Sequence, residues 1–598
     1  MYKVRLFALS GLLAGVCGLF LGLEASAWVL RHGSYWLLLA GFAIWLLSMA
    51  PVLRANPECW QLSKLEFIYA LGGALLLLLM QPSGYKVVMD EPLLVASSKQ
   101  LHLDKQYYVP GRAYELGGAY YHFDGYVDKR PGFFPFLLSV LHDLTGFRSH
   151  QGFLLNGALG LALIYLSALI GRSLWPQAGV WAGPLLVLNV PLFAVLVNSS
   201  GFDLLNAVCL LLVLRLAMSY AQEPSVVAAT PLLWASVLLA NTRYESLLYC
   251  GLAALILLMV SRRTGAIHWP SKYWLLPWCL LPVVLHIRLS MQRPDAWQLR
   301  EGDAAAFSLE HIAPNLGSFM EFTFSLSGRY PNSILLPIVL ILTAGLIAYR
   351  YVQSKEVFSG EMTDRSWLVV LLGLFVTLNF LVLLAYHWGE LTDPAATRLS
   401  APIILLQILL ILMFCGKLFR TKRTASLFLL IPLFGLLGQS LPACWNNAYP
   451  NDYPAAKWAN WVKSKALEYQ DAAVLLVTQP RLAAVVENVS AISLGRAIRG
   501  KAELALHQEL RTFNEIYFIH LQVADGAVEG GYREDIPLET HFNLEAIEQF
   551  DLDSERRVQL SRLKEVRFSP DEVRLPVELL EGKNLRMDWF QVMPALLP

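Results

Sequence analysis

Charge is what this sequence has least of. Lys, Arg, Asp and Glu make up 16% of 598 residues, and 47 basic against 46 acidic side chains leave a net charge of +1. A chain so balanced has no bulk attraction for nucleic acid. Cysteine is scarce too: seven residues, with no CxxC pair and no spacing that reads as a disulfide framework. Five of them, Cys17, Cys209, Cys250, Cys279 and Cys415, sit inside apolar runs, where a thiol behaves as a small hydrophobe. Internal repeats are also missing, which speaks against the paired half-structures found in many transporters.

What the chain has is apolar length. Hydrophobic residues reach 56% and mean hydropathy is +0.47, values beyond those of an ordinary soluble protein. Runs of about 17–25 apolar residues recur along the first three quarters, each long enough for about 30 Å of hydrocarbon. They predict a polytopic α-helical membrane protein of about 13 transmembrane helices, near 6–30, 35–53, 66–82, 151–171, 178–197, 203–220, 229–242, 246–261, 273–289, 333–350, 367–386, 399–415 and 424–443. The opening "MYKVR" and its apolar run lack a small-residue cleavage site, so a retained first helix is expected rather than a signal peptide.

Basic residues orient these spans. Lys3 and Arg5, Arg54 and Lys64, Arg172, Arg215, Arg262 and Arg263, Arg350 and Lys355, and the group from Lys417 to Arg423 fall on one face. Excess Lys and Arg in short loops marks the cytoplasm, which places the N-terminus inside and the C-terminus outside. The apolar stretch 131–146 is too short and too polar to cross, because it carries His142 and Asp143. It reads as a helix lying in the outer interface. Residues 83–150 then form one long external loop, of a length that is usually functional.

Composition changes near residue 443. Short apolar segments ("AVLLVT", "SAISL", "EIYFIHL") alternate with helical patterns such as "GKAELALHQELRTF", predicting a soluble α/β domain over 444–598. Three parts follow: two extra N-terminal helices in 1–65, a transmembrane core over 66–443 containing the external loop, and this C-terminal domain, read as a lid, docking module or stabilising appendage.

The charges that remain cluster at the outer ends of spans. "VVMDEPLLVASSKQ" sets Asp90 and Glu91 where a span ends, and "YVDKRPGFFPF" supplies Asp128, Lys129 and Arg130 before the interfacial helix. Asp203 opens a span in "SSGFDLLNA", Arg243 and Glu245 interrupt "LANTRYESLLY", and Asp393 and Arg398 precede another span. One such residue alone is most often an interfacial charge; several at one face more often line a cavity or pair with each other. A carboxylate and a basic cluster on the same membrane face suit chemistry on a phosphate-bearing lipid. The histidines His102, His122, His142 and His150, with Asp124, match no ligand spacing, so a divalent metal is only a minor alternative. Tyr107, Tyr108, Tyr114, Tyr120, Tyr121 and Tyr126 read as an interfacial belt or as sugar-stacking groups.

"DEPLLVASSKQL", "DKRPGFFPF", the Asp after the fifth span and "TRYES" together resemble the GT-C type membrane glycosyltransferases that use polyprenyl-phosphate sugars. Within these, the chain is most similar to the protein O-mannosyltransferase-like group that includes the lipid A aminoarabinose transferases. The resemblance spans about residues 66–420. It implies Asp90 as catalytic base, Glu91 as its partner, Asp203 as the second acidic residue, in catalytic or acceptor support, and Lys129 and Arg243 as basic residues that bind the donor phosphate; the charges Arg130 and Arg398 on the same face are further candidates for that phosphate. It also implies an undecaprenyl-phosphate-type donor carrying a hexose or pentose; the charge bias of the loops puts the site on the periplasmic face, and the lack of eukaryotic-type targeting features points to a bacterial inner membrane. The acceptor is a lipid, glycan or protein. Two features depart from the pattern. The helices before residue 66 have no counterpart, and Pro92, Leu93 and Leu94 stand where aminoarabinose transferases carry an Arg, which argues against lipid A. The alternative from another class is a transporter or flippase for a lipid-linked or anionic substrate.

Overall fold

The structure, a computed structural model, describes residues 2–87, 90–292, 299, 305–354, 364–446, 453–524 and 532–569. Lys355 of the basic loops, Val88 and Met89 before the acidic pair, and residues 447–452 of the link to the C-terminal domain lie outside them. The chain forms two compact units. One holds Met1–Val87, Ser97–Tyr108 and Val127–Tyr449; the other holds Val88–Ala96, Val109–Tyr126 and Pro450–Pro598.

The first unit is helical, and among the described residues eleven helices are long and apolar enough to span a membrane. It opens with α1 (Tyr2–Phe20) and α2 (Leu23–Ala55), parted at extended Gly22, where the sequence predicts one run to residue 30. The short α3 (Pro57–Trp60) precedes α4 (Lys64–Leu79), which starts in a Ser63–Glu66 capping box. After α4 come α5 (Glu91–Asp104) and α6 (Phe133–Thr145), the latter being the expected short amphipathic helix. Helix α7 (Gln151–Leu174) spans.

The expected span at 178–197 is instead two short helices, α8 (Ala182–Leu188) and α9 (Pro191–Val197). Pro191 lacks an amide hydrogen and ends the preceding helical run. Asn189 repairs the break, its Nδ2 donating to the carbonyls of Leu185 and Pro432, each at 2.7 Å. Next are α10 (Asp203–Gln222), the most enclosed span, and α11 (Val226–Ala240), which has only 15 residues. The broken pair and the short α11 account for eleven long spans where thirteen are expected. The rest are α12 (Leu248–Thr264), α13 (Leu276–Gln292), α14 (Ile312–Phe324), α15 (Leu335–Ser354), α16 (Asp364–Leu384), α17 (Ala401–Leu418) and α18 (Lys422–Gly435).

Small residues let these helices approach closely, as is usual in lipid where apolar burial cannot drive association. A Cβ placed on Gly183 of α8 would lie 2.0 Å from the carbonyl oxygen of Ser167 in α7. Backbone cannot yield as a side chain can. Gly183→Ala is therefore expected to cost about 1–3 kcal/mol, the usual range for overpacking, seen as a lower midpoint of thermal unfolding in detergent. An unchanged midpoint would show that α7 and α8 part at no cost.

The second unit is a mixed eight-stranded sheet with helices. Its centre is β3 (Val474–Thr478), parallel to β4 (Ser490–Ile492) on one side and β5 (Glu515–Ala524) on the other. These are the three apolar segments read from the sequence, and β3 is buried along its whole length, as parallel strands are. Short β6 (Tyr532–Glu534), β7 (Phe542–Asp551) and β8 (Arg556–Val566) extend the β5 side with antiparallel pairs. The other edge comes from far away in sequence: β1 (Val109–Leu116) and β2 (Ala119–Tyr126) form a hairpin from the long segment between α4 and α7, and β1 pairs antiparallel with β4 at Ala113 and Ala491. The hairpin turns at Gly117 and Gly118, both at positive φ (60° and 78°), which suits the tight turn.

Candidate active site

Asp203 sits in the first turn of α10, where unpaired amide hydrogens favour a negative charge. It is 4% exposed. Two guanidinium groups grip it, Arg243 through Nη1 and Arg398 through Nη1 to Oδ2 at 3.0 Å. Arg243 also bonds Glu245 through Nε, and it reaches this place because the chain extends between the end of α11 and a 3-10 turn at Tyr244–Leu247. Arg398 is set by the turn Thr397–Ser400 that leads into α17, with Nε donating to the carbonyl of Ala395. The ring of Phe202 underlies both cations, 5.0 Å from Arg243 and 5.7 Å from Arg398. Asn206, one turn along α10, accepts from Thr242 at 2.8 Å and Ser246 at 2.6 Å and holds the "NTRYES" turn in register.

The structure thus brings together three of the residues named from the sequence, Asp203, Arg243 and Arg398. Asp203 is the carboxylate that the two guanidiniums share. The ion pairs described join two guanidiniums to two carboxylates, Asp203 and Glu245. Phe202, Asn206 and Glu245 are the residues the site reading omitted. Glu245 was visible in "TRYES", whereas nothing local in the sequence marks Phe202 as a platform.

Asp128, Lys129 and Arg130 follow the hairpin. Arg130 closes on Asp128, Nη1 to Oδ1 at 2.9 Å, and its amide bonds the same carboxylate. The segment is held by His286, whose Nδ1 bonds the Asp128 carbonyl at 3.0 Å, and by Tyr107, whose hydroxyl donates to the Arg130 carbonyl at 2.6 Å. Lys129 is half-buried. Phe133, at the start of α6, donates its amide to the carbonyl of Asn241, tying this segment to the turn that carries Arg243.

Asp90 and Glu91 belong to the second compact unit, 4% and 1% exposed. The Asp90 carbonyl accepts from the Leu94 amide at 2.9 Å, so Asp90 is the entry residue of α5 and Pro92 falls in its first turn, where proline is tolerated. The tyrosines divide: Tyr107, Tyr108 and Tyr114 are buried in packing, and Tyr126 is exposed. His142 is taken up by Ser98, at 3.0 Å, and by Gln151, while His102 bonds Asp143 at 2.7 Å. Among the described residues no group of three or more His, Cys, Asp or Glu gathers to hold a metal ion.

Fold and site define a polytopic membrane protein with a buried cluster of charged side chains at one end of its helices, and a second unit whose sheet takes in the hairpin 109–126. No protein-family profile and no curated protein matches the chain. Among solved structures, that of ArnT from Cupriavidus metallidurans bound to undecaprenyl phosphate is similar over 83% of this chain and 97% of its own, at 12% identity and a TM-score of 0.46. The same protein in the apo state gives 82% and 97%, at 13% identity and a TM-score of 0.37.

Proposed function

We propose that the protein is an integral membrane glycosyltransferase of GT-C type that moves a sugar from a polyprenyl-phosphate donor to an acceptor hydroxyl at the periplasmic face of a bacterial inner membrane. The observation that carries this reading is the buried Asp203–Arg243–Arg398 cluster, three residues that stood out separately in the sequence as charges at span ends and that the fold joins. An anionic lipid head needs cations that are already oriented, and Asp203 orients two. Each guanidinium carries five N–H donors in a planar fork, so it can serve a carboxylate and a phosphate together.

In this reading the acceptor oxygen attacks the anomeric carbon and forms the new C–O bond. The bond from that carbon to the phosphate oxygen breaks, and the polyprenyl phosphate departs with the bonding pair. Asp90 takes the acceptor proton, a task within reach of a carboxylate in a water-poor site. Glu91 supports it. Lys129, with Arg130, Arg243 and Arg398, stabilises the charge growing on the departing phosphate. One direct displacement inverts the anomeric centre.

The test uses the full-length protein in nanodiscs with a panel of synthetic polyprenyl-phosphate hexoses and pentoses and an acceptor extract. Transfer from at least one donor, with inverted configuration and release of polyprenyl phosphate, is the expected result. Retention of configuration would remove Asp90 as a base acting in one displacement. No transfer from any donor, with substrate-driven flux in liposomes, would replace the reading with a transporter.

A further inference from the structure

Two side chains grip the backbone on either side of Lys129. Tyr107 donates its hydroxyl to the carbonyl of Arg130 at 2.6 Å, and His286 Nδ1 bonds the carbonyl of Asp128 at 3.0 Å. Between these carbonyls the segment has a shape of its own. The Arg130 amide donates to the Asp128 carboxylate at 2.9 Å, a short turn of the kind Asp favours, and the Arg130 guanidinium closes on the same carboxylate. Internal bonds thus set the shape of the turn that carries Lys129, while Tyr107 and His286 set where that turn sits.

Tyr107 is itself seated with little freedom. It is fully buried, and its ring meets that of His286 edge-on, with centroids 5.3 Å apart and planes at 85°. A Cβ placed on Gly132 would lie 3.3 Å from the same ring. The Tyr107 amide donates to the carbonyl of Arg31 in α2 at 2.8 Å. Arg31 also holds both neighbours of Tyr107: its Nε donates to Gln106 at 2.7 Å, and its guanidinium stands 4.2 Å from the centre of the Tyr108 ring. All these residues belong to the first compact unit. So does the turn carrying Arg243, to which the segment is tied by the Phe133 amide on the Asn241 carbonyl at 3.1 Å. Phenylalanine would fill the place of Tyr107 as well; what the hydroxyl adds is the bond to Arg130.

We propose that Tyr107 is a positioning residue for Lys129: seated on Arg31 of α2, it holds the Arg130 carbonyl and so fixes the turn that presents the lysine. The proposal rests on the transferase reading above, in which Lys129 serves the departing phosphate. It gives α2, a helix that the sequence sets outside the transferase core, a part in the reaction. A misplacement of about 1 Å in such a site lowers turnover by about 10²-fold. His286 still holds the Asp128 carbonyl when the Tyr107 hydroxyl is gone, so a smaller loss is expected. Tyr107→Phe in the full-length protein is expected to lower kcat by about 10-fold, with donor KM changed by less than about threefold. Hydrogen exchange of the amides between 128 and 133 is expected to speed up, and the thermal midpoint to stay close to the parent's.

Repeating the substitution in a Lys129→Ala background separates positioning from general support of the fold. Lys129→Ala alone is expected to lower kcat by about 10²–10³-fold, the usual cost of one charge-stabilising donor, and single-turnover measurements follow what remains. Residues that act through one another are not additive. Tyr107→Phe is therefore expected to lower turnover no further once Lys129 is gone. Arg31→Met, which leaves Tyr107 intact and loosens its seat, is expected to lower kcat by about threefold with Lys129 present and not at all without it. Should Tyr107→Phe fail to fold, the Arg31→Met pair carries the same decision. An equal proportional loss in both backgrounds would overturn the proposal, as would full turnover in Tyr107→Phe or in Lys129→Ala. A parent protein that transfers no sugar from any donor removes the transferase reading and this role with it, an outcome distinct from an active parent with indifferent variants.

Discussion

Asp90→Asn is expected to lower kcat for sugar transfer by about 10²–10⁴-fold, the range that a positioned general base supplies. The substitution is close to isosteric. Asn serves as well as Asp at the entry of a helix, where the Asp90 carbonyl begins the hydrogen-bond ladder of α5. Thermal midpoint and chromatographic behaviour are therefore expected to stay near those of the parent, which isolates the chemistry. Donor KM is expected to move little, because the phosphate is assigned to Lys129 and the arginines. A variant that keeps turnover within about threefold of the parent would remove Asp90 as the base and direct attention to Glu91, its buried neighbour. Glu91→Gln under the same assay then decides between them.

How much of this was legible beforehand depends on the range of the interactions concerned. Spans are local: a run of apolar residues declares itself, and the C-terminal apolar segments became β3, β4 and β5. Where a local rule was outvoted, the cause can be named. Residues 178–197 read as one span because their composition is apolar throughout, yet Pro191 divides them and Asn189 makes the division tolerable by bonding Pro432 of a helix 243 positions on. The stretch "RAYELGGAYYHF" carried a hairpin signal, a Gly-Gly turn between aromatic flanks, but its tyrosines drew the reading toward sugar or interface. That Tyr114 enters a sheet core beside Phe513 depends on contacts no local pattern encodes. β7 and β8 went unread because β7 is largely exposed and its alternation is interrupted, with register shifts at Asn543/Leu544 and Ala546/Glu548.

The site shows the same division. Asp203, Arg243 and Arg398 stood out individually as charges at span ends, since each is costly there unless partnered. Their partnership is a property of the fold, made by three helix entries meeting.

That partnership yields the second large effect. Asp203→Ala takes from the Arg243 and Arg398 guanidiniums the carboxylate they share. Removing one member of a buried ion cluster typically destabilises by about 3–5 kcal/mol, because the remaining charge is desolvated without compensation. Asp203→Ala is thus expected to unfold at a markedly lower temperature and to lose transfer, and the loss by itself would say nothing about catalysis. The triple variant Asp203→Leu, Arg243→Met, Arg398→Met separates the two. Apolar replacement of a whole buried charge cluster is often neutral for stability or better, so the triple variant is expected to regain most of the lost midpoint. If the arginines serve the donor phosphate, it stays inactive at the recovered stability, and protection of the protein by added polyprenyl phosphate disappears with it. A triple variant that is both stable and active would reduce the cluster to a structural tie among α10, α12 and α17, and would leave Lys129 and Arg130 as the only assigned cations for the departing phosphate.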